Sequence, residues 1–80
     1  MPTIYRYKGY RFFFFSNEGQ PLESPHVHVR HGERVAKFWL VPEPALASSW
    51  QMSAVELIEL LKIISSNRDT FERAWHDYFG

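Results

Sequence analysis

The chain contains no cysteine, which rules out a disulfide framework and any thiolate metal site and argues against a secreted mini-protein scaffold. A reducing cytoplasm is the expected compartment. It also lacks an excess of either charge: nine basic residues stand against nine acidic ones. No global field therefore draws it to nucleic acid or anionic lipid, and binding of that kind needs a local patch. Long apolar runs are missing too. Phe12 to Phe15 and the stretch of Leu60, Leu61, Ile63 and Ile64 fall far short of the ~20 residues that span a bilayer. The first residues show no basic segment leading into an apolar one, so neither a membrane span nor a signal peptide is expected. Without repeats, low-complexity tracts or linkers, residues 1–80 read as a single domain.

What the chain does have is aromatic bulk: seven phenylalanines, four tyrosines and three tryptophans in 80 residues. Small domains bury a modest share of their surface, roughly 60% for a chain of about 60 residues. The large apolar area of each ring therefore has to stabilise a core that nothing else staples.

Thr3 to Tyr7 is rich in β-branched and aromatic residues and stops at Lys8-Gly9, which predicts a strand and a short turn. Tyr10 to Ser16 predicts a second strand, apolar on both faces: Tyr10, Phe12 and Phe14 on one, Phe13 and Phe15 with Arg11 on the other. Asn17 to Pro21 is a turn cluster, and Ser24-Pro25 ends the loop. His26 to Arg30 and Arg34 to Val41 predict a second hairpin around Gly32, and Pro42-Glu43-Pro44 breaks the ladder. Ala45 to Trp50 reads as a connection that packs the sheet to the first helix. That helix starts at Ser53-Ala54-Val55-Glu56, which has the capping-box form. Leu57, Leu61 and Ile64, widened by Ile58 and Leu60, give it a broad buried face, and Asn67 is the expected N-cap of a second helix carrying Phe71, Trp75, Tyr78 and Phe79.

Strands followed by helices predict an α+β domain: a four-stranded antiparallel sheet of two hairpins, with two C-terminal helices packed on one face. Two helices cover one face only. Phe13 and Phe15 are then exposed in a monomer, and exposed apolar patches mark interfaces, so a homodimer or a protein partner is expected.

The most function-like segment is Pro25-His26-Val27-His28-Val29-Arg30. His26 and His28 are two apart on a strand and share a face with Arg30. If the following turn has two residues, strand parity adds Val35, Lys37 and Trp39 to that face; a three-residue turn would put Arg34, Ala36 and Phe38 there instead. The first arrangement suits phosphodiester chemistry, with His26 and His28 as acid and base, Lys37 and Arg30 holding phosphate, and Trp39 stacking on a base. A zinc site is a further option, since two strand histidines can converge on one ion. It needs a third ligand from His31, Glu23, Glu33, His76 or Asp77, and it places Lys37 and Arg30 beside a cation. Against both stands the plainer expectation that the histidines are half-buried strand residues bonded to backbone or carboxylate, with Trp39, Trp50 and Trp75 as core or interface anchors.

Several segments resemble a bacterial and archaeal family known as domain of unknown function 4160. They are Met1-Pro2-Thr3-Ile4, Gly9-Tyr10-Arg11-Phe12, Phe14-Phe15-Ser16-Asn17, Pro25-His26-Val27-His28-Val29, Ala36-Lys37-Phe38-Trp39-Leu40, Ala74-Trp75 and Tyr78-Phe79-Gly80. Ser24 departs from the family, which often has a second proline there. The resemblance implies no defined activity, because the family is functionally uncharacterised. It does imply a small protein partner: genes of this family often lie beside those of domain of unknown function 2442, in pairs that resemble toxin–antitoxin modules. An RNA-cleaving toxin is compatible with such a pair, although toxin ribonucleases tend to be basic and this chain is neutral.

The expectation is therefore a cytoplasmic protein-interaction module, more binding protein than enzyme, with no cofactor and no metal. Its partners are a second copy or a small protein, with nucleic acid as a further candidate. The alternative is a metal-independent ribonuclease or nucleic-acid-binding protein with His26, His28 and Lys37 catalytic. Arg30, Trp39, Phe13 and Phe15 are the expected binding residues.

Overall fold

A computed structural model describes residues 3–15 and 23–79. Strands Thr3–Tyr7 (β1), Tyr10–Phe13 (β2), His26–His31 (β3), Arg34–Trp39 (β4) and Ala45–Trp50 (β5) precede helices Ala54–Ser66 (α1) and Arg68–Phe79 (α2). The α+β class is as expected, but the sheet has five strands rather than four. They run in the order β1-β2-β3-β4-β5, each antiparallel to its neighbour, so the two expected hairpins belong to one continuous meander.

The added strand is β5, expected to be a connection. Pro42-Glu43-Pro44 does end β4, but the chain turns back there instead of leaving the sheet, and Ala45–Trp50 pairs along β4. The register shifts between Lys37 and Phe38, a bulge that interrupts the alternation by which a strand is recognised. Ser16 and the turn expected at Asn17 to Pro21 lie outside the described residues.

Alternation in the central strands places the core. Phe12 on β2, Val27 and Val29 on β3, and Ala36 and Phe38 on β4 point toward the helices and meet Leu60 and Ile64 of α1 and Phe71 and Trp75 of α2. Phe14, just beyond β2, joins this side by packing edge-on to Trp75, with ring centroids 5.3 Å apart. The other side, the outer face, carries no helix among the described residues.

The helical layer is tied to the sheet through Glu56. Ser53 accepts from the Glu56 N–H at 3.1 Å, and the Ser53 N–H donates to Glu56 Oε1 at 3.0 Å, completing the expected capping box. Glu56 Oε2 also accepts from the Tyr10 hydroxyl at 2.6 Å and from Arg34, so one carboxylate joins α1 to β2 and β4. Ser53→Ala removes half of the box and is expected to cost about 1 kcal/mol in a urea melt.

The Ser53 N–H, the Tyr10 hydroxyl and the Arg34 charge together hold the Glu56 carboxyl down at about 2. A carboxylate with a depressed folded-state pKa stabilises the fold above its unfolded value, near 4.3, and loses that contribution as pH falls toward its folded value. Stability is thus expected to decline between about pH 4.5 and pH 2. Urea melts across that window should show a shallower decline in Glu56→Gln than in wild type.

Asn67 sits at the junction of the helices and serves both. Its carbonyl accepts from the Phe71 N–H at 3.0 Å, the backbone role of an N-cap, while its side-chain amide donates to the Ile63 carbonyl of α1 at 2.8 Å. No described helix is long and apolar enough to cross a membrane.

Candidate functional site

The turn after β3 has two residues, Gly32-Glu33, with Gly32 at φ 63°, a left-handed value that glycine adopts without steric cost. His28 therefore stands opposite Lys37, His26 opposite Trp39, and Arg30 opposite Val35. His26, His28, Arg30, Lys37 and Trp39 occupy outer-face positions, as strand parity requires for a two-residue turn.

Two cross-strand rows organise that face. Phe13, His28, Lys37 and Ser48 are successive partners across β2 to β5, and Arg11, Arg30, Val35 and Trp50 form the next row. Phe13, Phe15, His28, Lys37, Ser48 and Trp50 border a shallow concavity of about 270 Å³. That is near the small end of ligand pockets, roughly 300 Å³, and suits a flat group laid on the sheet.

The two histidines of the strand have different surroundings. His26 is fully buried, with its Nδ1 2.8 Å from the Ser24 carbonyl and its ring 4.9 Å from Trp75 and 5.5 Å from Trp39. His28 is half-buried, stacked on Phe13 at 5.7 Å and met edge-on by Phe15 at 4.5 Å. His26 is thus held as a core residue, and only His28 of the pair lines the concavity.

Lys37 extends over the Trp39 ring, with Nζ 4.5 Å from its centroid, and lies 3.7 Å from Glu23. Cation–π contact and the neighbouring carboxylate both hold the ammonium near the concavity. Phe13 is 3% exposed, contrary to the expectation of an uncovered aromatic. Phe15 packs edge-on at 5.2 Å and the Arg11 guanidinium lies 5.0 Å from its centroid, so its neighbours on the same face shield it. Phe15 and Trp50 are the exposed rings of this surface, Trp50 at 62%.

Of the additional ligands expected for a zinc site, His31 ends the same strand but faces away from His26 and His28. His31 Nδ1 accepts from Arg34 at 2.9 Å and its ring tilts against Tyr10 at 4.7 Å, on the helix side. Among the described residues no group of three or more His, Cys, Asp or Glu is placed to hold a metal ion.

The sequence pattern does not bring Ser48 and Trp50 into the site, because Ala45 to Trp50 reads as a connection. Nor does it single out Arg11 or Arg6, its cross-strand partner on the same face. Their signal was present in β1 and β2, where each is the lone charged residue of its strand. None of the five strands contains an aspartate or glutamate.

No curated protein and no solved structure matches the chain. A family model does, over residues 9–76, which takes in β2 to β5, both helices up to His76 and every outer-face position named above except Arg6. With that much of its length matched, the chain belongs to the family described as Domain of unknown function (DUF4160).

Proposed function

We propose that the protein binds single-stranded nucleic acid on the outer face of its sheet without cutting it. The observation that carries this reading is the sorting of charge. Arg6, Arg11 and Arg30, with Lys37 beside its partner Glu23, project from strands that contain no acidic residue, on the face where Trp50 and Phe15 are exposed. A neutral chain thereby presents a local cationic surface with rings beside it. That is the combination single-strand binders use, cations following phosphates and aromatic rings stacking on bases.

Burial of His26 supports binding over cleavage. A metal-independent ribonuclease of the kind weighed above needs an acid and a base that both reach the phosphodiester, and here only His28 faces the concavity. Short labelled RNA and DNA strands of mixed sequence test this by fluorescence anisotropy at low salt. Single strands are expected to bind more tightly than duplex, to weaken as salt rises and to be recovered intact. No binding at low salt overturns the reading; recovered fragments that disappear with His28→Ala overturn the non-catalytic part.

A second surface favours a protein partner. Val55 and Ile58, three residues apart on α1, are 77% and 57% exposed; Ile58, expected in the buried face, instead falls on the side of the helix away from Leu60 and Ile64 and forms an apolar stripe with Val55. We propose that a second copy or a small partner protein covers it, as in a toxin–antitoxin-like pair. Light scattering that finds a strict monomer, together with pulldowns that recover no partner, contradicts this second reading.

A further inference from the structure

Arg6 of β1 stands directly opposite Arg11 of β2, and Arg11 directly opposite Arg30 of β3. Three like charges across adjacent strands, spaced about 5 Å apart in the pairing direction, repel one another and destabilise a sheet. Nearby carboxylates normally relieve such a row. Among the described residues, the ion pairs engage Arg34, Lys37 and Arg68 but none of these three arginines. The Arg30 Nε donates to the Gly32 carbonyl at 2.9 Å, which fixes that guanidinium, and Arg11 lies over Phe13. Together with Gly9 and Gly32 the three arginines line a polar depression of about 330 Å³ at the end of the sheet where the first and third turns lie.

We propose that Arg6, Arg11 and Arg30 form a phosphate-binding row that grips the sugar–phosphate backbone of a strand lying on the outer face. Guanidinium presents planar, paired donors that match phosphate oxygens, and an anion seated among the three removes the repulsion that the sheet otherwise carries. This rests on the nucleic-acid reading above and adds the direction of the strand: backbone over the arginine row, bases toward Trp50 and the concavity at His28.

Salt dependence of single-strand binding tests the row. Each phosphate contact contributes about 0.7 to the slope of log affinity against log salt, so Arg6→Gln and Arg11→Gln are each expected to lower the slope by about that amount for every sequence tried. Thermal melts check the fold. Arg6→Gln removes repulsion and no hydrogen bond among the described residues, so it is expected to melt no lower than wild type. Slopes that stay unchanged in both variants while oligonucleotide still binds overturn the row and leave the nucleic-acid reading standing. A titration of the bare protein with inorganic phosphate, followed by NMR at the arginine Nε–H signals, separates the two ideas. Shifts at Arg6, Arg11 and Arg30 in a protein that binds no oligonucleotide support the row as an anion site and reject the nucleic-acid reading. Unshifted arginine signals overturn the row.

Discussion

Phe38→Ala is expected to remove about 3–5 kcal/mol of stability, against a total of about 4–12 kcal/mol for a domain of this length. Phe38, next to the last residue of β4, is fully buried and belongs to the cluster in which the central strands meet both helices. Its truncation leaves a cavity where strand and helix side chains interlock, and the interior cannot collapse to fill it without moving one of them. The neighbour Lys37, on the outer face, provides the control: Lys37→Ala is expected to cost less than about 1 kcal/mol, as surface changes do. Parallel urea melts of the two variants also test the register. A slip by one residue would turn Phe38 outward and Lys37 inward, and the two losses would change places.

Trp50→Ala is expected to do the reverse, leaving stability nearly unchanged while weakening single-strand binding by about 1–3 kcal/mol, the range for removing one stacking ring. Trp50 ends β5 with most of its side chain in solvent, so its removal opens no cavity. Its cross-strand partner Val35 continues the row to Arg30 and Arg11, which sets the indole beside the cationic part of the face. Binding titrations at fixed low salt, with melts alongside, separate a lost ring from a lost fold. An affinity within twofold of wild type would show that Trp50 does not meet the strand.

The sheet was legible wherever side chains alternate strictly. Val27, His28, Val29 and Arg30 alternate inward and outward, as do Val35 to Trp39, and the two-residue turn at Gly32-Glu33 sets the pairing that puts His28 opposite Lys37. Ser53 and Glu56 likewise announced α1, because a capping box is a local contact that needs no distant partner. β5 was hidden for the opposite reason. Its Ala and Ser side chains carry little strand preference, the bulge breaks its alternation, and it becomes a strand only because β4 offers it an edge. The unequal fates of His26 and His28 were also hidden. Parity places both on one face, but it does not foresee that Trp75, almost fifty residues away in sequence, closes over the first of them. Charge counting over the whole chain concealed the arginine row in a similar way. The nine acidic residues cancel the nine bases in the sum, but none falls in β1 to β5, and five of them, Glu56, Glu59, Asp69, Glu72 and Asp77, lie in the helices.

The central claim is that the outer face of the sheet receives a single strand of nucleic acid. An amide NMR titration of the intact protein with a short mixed-sequence RNA strand at low salt tests it most directly. The account predicts shifts concentrated on the outer-face positions of β2 to β5, at His28, Lys37, Ser48 and the Trp50 indole, with α1 largely unmoved. Shifts confined to α1 around Val55 and Ile58, or none anywhere, would contradict it.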